Sequence, residues 1–164
     1  MKLPKRPEEV LTPENFILLD MLEKQFLDVK KWAGNQQDAF RDQLPRMEKA
    51  QKQLRNIALQ RFKMSQPPMD GLLPKGMDLE LMTSPLLKAF ISFLDELETI
   101  DEKIYALFID IIDEHKQDKA RENLLQFEKL IAPALEQFPR LKQRCDTQEN
   151  LLIAVEQQLK KQVN

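Results

Sequence analysis

The sequence contains few of the side chains from which catalytic and redox sites are built. It has one histidine, one cysteine and three glycines among 164 residues. A single cysteine excludes an internal disulfide bond and is typical of a reducing compartment. The sequence has no phosphate-binding glycine loop, no zinc-binding pattern of cysteine and histidine, and no Ser/His/Asp set. We therefore predict that the protein is not an enzyme and that it uses no cofactor.

Long apolar runs are also missing. The longest one covers residues 104–109, whereas about 20 residues are needed to span a bilayer. The first nine residues carry basic side chains but are followed by no apolar segment, which does not match a secretion signal. The net charge of −2 creates no overall attraction to nucleic acid or to an anionic membrane. We expect a cytoplasmic protein without a membrane span, and the charge argues against a nucleic-acid partner.

Helix-forming residues are abundant. The chain is 42% hydrophobic and 32% charged, with many leucine, glutamate, lysine and glutamine residues, which favour helices over strands. The predicted fold is an all-α bundle of four long helices, or of five if Pro139 separates two. It forms a single domain over residues 12–164, preceded by a flexible arm over residues 1–11.

The first helix has clear start and stop signals. Thr12 can cap the helix, Pro13 suits the first helical position, and Glu14 favours the positive end. An apolar face continues to Ala33, and Gly34 is a typical residue just after a helix end. These signals predict a first helix that ends at about residue 33.

The second predicted helix covers residues 36–64 and combines an apolar face with a basic one. Phe62 falls on the apolar side, and Pro45 lies inside the pattern, so the helix either kinks or restarts there. Residues 41–64 contain seven basic and two acidic side chains. This basic face is a solvated surface or a binding site for an acidic protein. The candidate binding residues on it are Arg41, Lys49, Lys52 and Arg55.

Residues 65–83 form the one long break between predicted helices, rich in proline, glycine and methionine. A connection of this length allows a crossover between helices 2 and 3. Methionine-rich apolar surface suits the recognition of a partner helix or peptide, although the same residues could instead cover the core. The candidate binding residues here are Met69, Leu72, Leu73, Met77 and Met82.

The central helix is predicted to begin at Ser84-Pro85 and to extend to about His115. Its apolar side chains cover an arc of roughly 200°, about twice what an ordinary surface helix needs. Such a helix must contact neighbours on two or three sides. Its outer side is acidic, with eight acidic and two basic side chains over residues 84–115.

The last segment, residues 118–163, keeps apolar residues at alternating spacings of three and four from Leu124 to Leu159. This heptad pattern retains its phase through Pro133 and Pro139. It predicts either one kinked helix or two helices that continue in phase.

Four polar residues fall at positions that the patterns assign to the interior. They could form a buried polar layer that fixes the register of the helices at some cost in stability, or each could reach solvent at an edge. These candidates are Gln51, Asp101, His115 and Gln148.

The function predicted from these patterns is a non-enzymatic protein-interaction module, such as an adaptor, a chaperone or an assembly component. It would bind another protein or associate with itself through its helices. One alternative is a metal-dependent enzyme that uses the acidic residues of the central helix. Another is a phosphotransfer-like signalling bundle that uses His115, although no glycine follows that histidine. A di-iron Glu-x-x-His motif is absent, because the residue three positions before His115 is Ile112 rather than a glutamate.

Overall fold

Three helices form the described part of the chain. The computed structural model describes residues 11–64, 79–114 and 117–163. Helix α1 spans Pro13–Lys63, α2 spans Leu79–Glu114, and α3 spans Gln117–Val163. These ranges contain no β-strand, so the all-α prediction is confirmed. The prediction of four or five helices is wrong, because the first two predicted helices are one and α3 is undivided.

Helix α1 continues through Gly34, where the sequence predicts a stop. A glycine in a helix interior costs about 1 kcal/mol relative to alanine. That cost is small compared with the packing on either side, where the buried residues Ala33, Gln36 and Phe40 keep their spacing of three and four. The helix therefore ends only at Lys63, one residue before the end predicted for the second helix.

Prolines inside the helices do not divide them either. Pro45 lies within α1, and Pro133 and Pro139 lie within α3. Each removes one backbone hydrogen bond, and all three are exposed. Of the two alternatives for residues 118–163, the structure shows the single helix.

Helix α2 begins earlier than predicted. It starts at Leu79, so Pro85 lies inside it. The residues from Leu79 to Met82 are strong helix formers, which explains why the helix extends before the Ser84-Pro85 start signal. Its last described residue is Glu114, which precedes the start of α3 at Gln117. His115 lies outside the described residues.

The buried residues of each helix follow the heptad repeat, and we call these positions the seam. In α2 they are Leu86, Phe90, Phe93, Leu97, Ile100 and Ile104. In α1 they are Asn15, Leu19, Leu22, Phe26, Val29, Ala33, Gln36, Phe40, Gln43, Met47, Ala50 and Leu54. In α3 they include Ala120, Leu124, Phe127, Ile131, Ala134, Leu141, Cys145, Gln148, Leu152, Val155 and Leu159. A repeat of this kind keeps one face of a helix against its neighbours along its length.

The chain divides into two compact units, and each helix contributes a segment to both. Unit 1 consists of residues 1–33 and 91–139, and unit 2 consists of residues 34–90 and 140–164. None of the described helical segments combines the length and the apolarity that a membrane span requires.

In unit 1, α1 and α3 are parallel and α2 is antiparallel to both. The start of α1 packs against the start of α3, where Leu19 and Leu124 share a buried cluster. Further along, the ring centroid of Trp32 lies 5.2 Å from the ring centroid of Phe138 in α3 and 6.2 Å from that of Phe93 in α2. Phe108, near the other end of α2, packs at the start of α1.

In unit 2, the core is built mainly between α1 and α3. The shared cluster contains Met47, Ala50 and Leu54 of α1 with Leu151, Leu152, Val155 and Leu159 of α3. Phe40 contacts Phe90 of α2 edge to face, with ring centroids 5.0 Å apart.

Replacing Gly34 by alanine tests the continuity of α1. Gly34 is exposed, and no atom lies within 4 Å of the place where a Cβ would be added. We expect Gly34→Ala to raise the free energy of unfolding by about 1 kcal/mol, measured by urea denaturation, because alanine is the better helix former. The matched control Ala154→Gly, on the exposed face of α3, should lower it by a similar amount. A loss of stability in Gly34→Ala would contradict the continuous helix, since alanine is strained at a left-handed helix end.

Candidate partner-binding surface

The predicted buried polar residues that the structure describes are divided between the two units. Gln148 lies in the seam of α3, only 1% exposed, with its Nε2 atom 3.8 Å from the sulfur of Met47. Gln51 is half-buried in the same unit. Asp101 belongs to unit 1 and lies at the edge of α2, where its side chain is 43% exposed and its Oδ2 atom is 2.9 Å from Nζ of Lys30. Asp101 is therefore an edge ion-pair residue rather than a core residue.

Other polar residues are buried that the sequence reasoning missed. Gln36 and Gln43 occupy the seam of α1, one heptad apart, and Gln43 is 1% exposed. The Nε2 atom of Gln36 and the Oε1 atom of Gln43 have no hydrogen-bond partner among the described residues. A face drawn through the apolar residues around Gly34 and Pro45 passes over both positions. Counting the spacing of three and four without regard to residue type would have found them.

The described residues offer little for catalysis. They contain no group of three or more histidine, cysteine or carboxylate side chains that could hold a metal ion. Burial in the seam raises the pKa of the Cys145 thiol to about 12. A thiol with that pKa stays protonated at neutral pH and is a poor nucleophile.

The outer face of α1 in unit 2 carries a row of exposed basic and apolar side chains. Leu59 is 54% exposed and Phe62 is 81% exposed, and both follow Lys52 and Arg55 at spacings of three and four. Arg41 lies on the same row, two heptads before Arg55, and the exposed Pro45 and Glu48 lie on the row between Arg41 and Lys52. We call this row the basic–apolar stripe, and its residues are Arg41, Lys52, Arg55, Leu59 and Phe62.

Phe62 is exposed, so its predicted place on the apolar face is wrong. The seam continues from Leu54 through the half-buried Ile57 to Arg61, so Phe62 lies one position beyond it. An exposed phenylalanine beside basic residues is therefore a consequence of the helical register.

Lys49 faces a different neighbour from the other predicted basic residues. It lines a cleft of about 290 Å³ between α1 and α3, together with Arg46, Glu156 and Lys160. The predicted binding residues Met69, Leu72, Leu73 and Met77 lie outside the described residues. Met82 is in the first turn of α2.

An arginine–carboxylate pair closes one side of this cleft. The Nε atom of Arg46 donates to Oε2 of Glu156 at 3.1 Å, and its Nη2 atom donates to Oε1 of the same carboxylate. A third donor, Nη1, reaches Asp42 at 3.1 Å. The hydrogen bonds from Arg46 lower the pKa of Glu156. The Arg46–Glu156 pair links α1 to α3. Arg46 also engages Asp42, one of the two acidic side chains among residues 41–64.

The Arg46–Glu156 pair should contribute to stability in a pH-dependent way. A double-mutant cycle with Arg46→Met and Glu156→Gln is expected to give a coupling energy of about 1 kcal/mol at neutral pH, because the geometry is bidentate and both side chains are only 32% exposed. The pKa of the carboxyl is lowered by folding, so the coupling is present above its unfolded pKa of about 4.3 and is lost as the pH falls through the folded value.

The measurement is urea denaturation at neutral and at acidic pH. The exposed pair Asp20–Lys24, with 3.8 Å between its charged atoms, is the control and should show almost no coupling. A cycle for Arg46 and Glu156 that gives no coupling at neutral pH, or the same coupling at low pH, would contradict this account.

Comparison with known proteins gives no further guide to function. No protein-family model matches the chain, and neither a curated protein nor a solved structure matches it. The function must therefore be argued from the surfaces of this chain alone.

Proposed function

We propose that this protein is a non-enzymatic protein-interaction module and that its basic–apolar stripe is where a partner binds. The observation that carries the proposal is the exposure of Phe62 and Leu59, which are 81% and 54% exposed, next to Lys52 and Arg55. Aromatic residues and arginine are enriched at protein interfaces and among the residues that dominate binding energy. An exposed apolar group with basic neighbours suits that use better than a purely solvated face.

The charge of the surface defines the chemistry of the partner. Residues 41–64 carry seven basic and two acidic side chains. Two of the basic residues have acidic partners: Arg46 pairs with Asp42 and Glu156, and Arg41 pairs with Asp38. A complementary partner therefore presents carboxylates beside apolar side chains. Carboxylates would steer the encounter and set the orientation, while apolar groups would cover Leu59 and Phe62.

The shape of the surface favours a helical partner segment. The stripe follows one helix, and its members recur at spacings of three and four. An amphipathic helix with the same repeat could lie along it, as in helix-in-groove and coiled-coil recognition. An adaptor, a chaperone and an assembly component would all use such a surface.

Photo-crosslinking in cells of the native host tests this proposal. With p-benzoylphenylalanine at position 62, we expect a covalent adduct with a protein that mass spectrometry can identify. Reversing the charges with Lys52→Glu and Arg55→Glu should reduce the adduct at least about tenfold, because the binding charges are then repulsive.

Two controls make the result specific. The same label at Ile153, an exposed position on α3, should give no such adduct. Reversing Arg140 and Arg144, which are exposed on α3, changes the net charge equally and should leave the adduct at position 62 unchanged. The proposal is contradicted if position 62 yields no protein adduct, if it crosslinks to nucleic acid, or if reversing Lys52 and Arg55 has no effect.

A further inference from the structure

Helix α2 carries a second exposed row, opposite in charge to the first. Ile91, Tyr105 and Ile109 are 55%, 69% and 42% exposed. Three exposed carboxylates lie between Ile91 and Tyr105 at spacings of three and four. We call this row the acidic–apolar stripe, and its residues are Ile91, Asp95, Glu98, Glu102, Tyr105 and Ile109.

The carboxylates of this stripe are available for an external partner. Asp101, one position away from the stripe, is paired with Lys30. By contrast, Glu98 and Glu102 have no ion-pair partner within the part of the chain that the structure describes. The stripe therefore presents negative charge that the protein's own described side chains leave uncompensated.

The two stripes match each other in order as well as in charge. From the amino to the carboxyl end, α1 presents the cations Lys52 and Arg55 and then the apolar Leu59 and Phe62. In the same direction, α2 presents the carboxylates Glu98 and Glu102 and then Tyr105 and Ile109. The match covers these four positions, because one turn earlier Glu48 of α1 and Asp95 of α2 carry the same charge. Both rows follow the heptad repeat, so two such helices lying parallel would place opposite charges together at one end and apolar groups together at the other.

The net charges of the two units agree with this match. By sequence, unit 1 has 11 basic and 18 acidic side chains, a net charge of −7, and unit 2 has 14 basic and 9 acidic side chains, a net charge of +5. The acidic–apolar stripe lies in unit 1, and the basic–apolar stripe lies in unit 2. Attraction between unit 1 of one copy and unit 2 of another would therefore reinforce the contact between the stripes.

We propose that the partner of the basic–apolar stripe is the acidic–apolar stripe on α2 of a second copy of this chain. This inference rests on the proposed function of the stripe on α1 and names its occupant. The contact joins two different surfaces, so each copy keeps one unused stripe: the acidic–apolar stripe on one copy and the basic–apolar stripe on the other. Such a heterologous contact adds further copies unless the assembly closes into a ring.

Complementary charge reversal tests this contact. The first variant, Lys52→Glu with Arg55→Glu, has two acidic stripes, and the second, Glu98→Lys with Glu102→Lys, has two basic stripes. In sedimentation velocity at about 0.1 M salt, we expect the wild type to self-associate with rising concentration. Each variant alone should associate at least about tenfold more weakly, and an equimolar mixture of the two should associate again. Association of the wild type should weaken at about 1 M salt, where the Debye length falls from about 10 Å to about 3 Å.

Matched variants on α3 control for net charge. Arg140→Glu with Arg144→Glu, and Glu128→Lys with Glu136→Lys, make the same charge changes at exposed positions and should associate like the wild type. Circular dichroism should show that all variants keep their helix content. Restored association in the mixture supports the proposal even if one variant is less stable than the wild type.

The contradicting outcomes separate this inference from the proposed function. A wild type that remains monomeric at low salt, or a mixture that does not associate, overturns self-association through the stripes. If the crosslink at position 62 then joins a different protein and still depends on Lys52 and Arg55, the interaction module stands without this partner. Self-association that charge reversal leaves unchanged also overturns the inference, because it uses another surface.

Discussion

The alternation of three and four residues between buried side chains is the constraint on which the structure depends. It holds in all three helices and keeps one face of each against its neighbours in both units. Packing summed over many turns outweighs a local cost of about 1 kcal/mol at Gly34 and the hydrogen bond lost at each internal proline. The same repeat fixes which residues point outwards. The basic–apolar and acidic–apolar stripes are therefore as regular as the seam itself.

Polar residues in the seam trade stability for specificity. A seam of leucine and phenylalanine alone would allow neighbouring helices to slide by one heptad at little cost. Gln36, Gln43 and Gln148 interrupt it in unit 2, and buried amides of this kind disfavour wrong registers while they weaken the correct one. In unit 1, Trp32 packs edge to face against Phe93 of α2 and Phe138 of α3. Register also determines where the exposed stripes lie.

Local signals predicted the fold where they agreed with the repeat. Thr12 caps α1 as expected, since its Oγ1 atom accepts a hydrogen bond from the backbone N–H of Asn15 at 3.2 Å. The phase of α3 is retained through Pro133 and Pro139, but the phase alone left one helix and two helices as alternatives, and the structure shows one. The helix end predicted at Gly34 is wrong, because a stop signal reflects a local propensity, whereas the helix is stabilised by contacts with residues distant in sequence. The basic residues of α1 could be found by counting charges. The exposure of Phe62 could not, because it depends on whether the seam continues to Arg61 or shifts by one residue.

Hydrogen exchange of the α1 backbone amides tests most directly the uninterrupted helix on which the seam and the stripes depend. In a continuous helix, the amides of Gln36, Gln37 and Asp38 donate to carbonyls four residues earlier, across Gly34. We expect them to exchange as slowly as the amides of the turns on either side. If α1 instead ended at Ala33 and a new helix began at Gln36, these three would be first-turn amides without partners. Exchange near the rate of an unfolded chain at these residues, between slowly exchanging segments, would contradict the account.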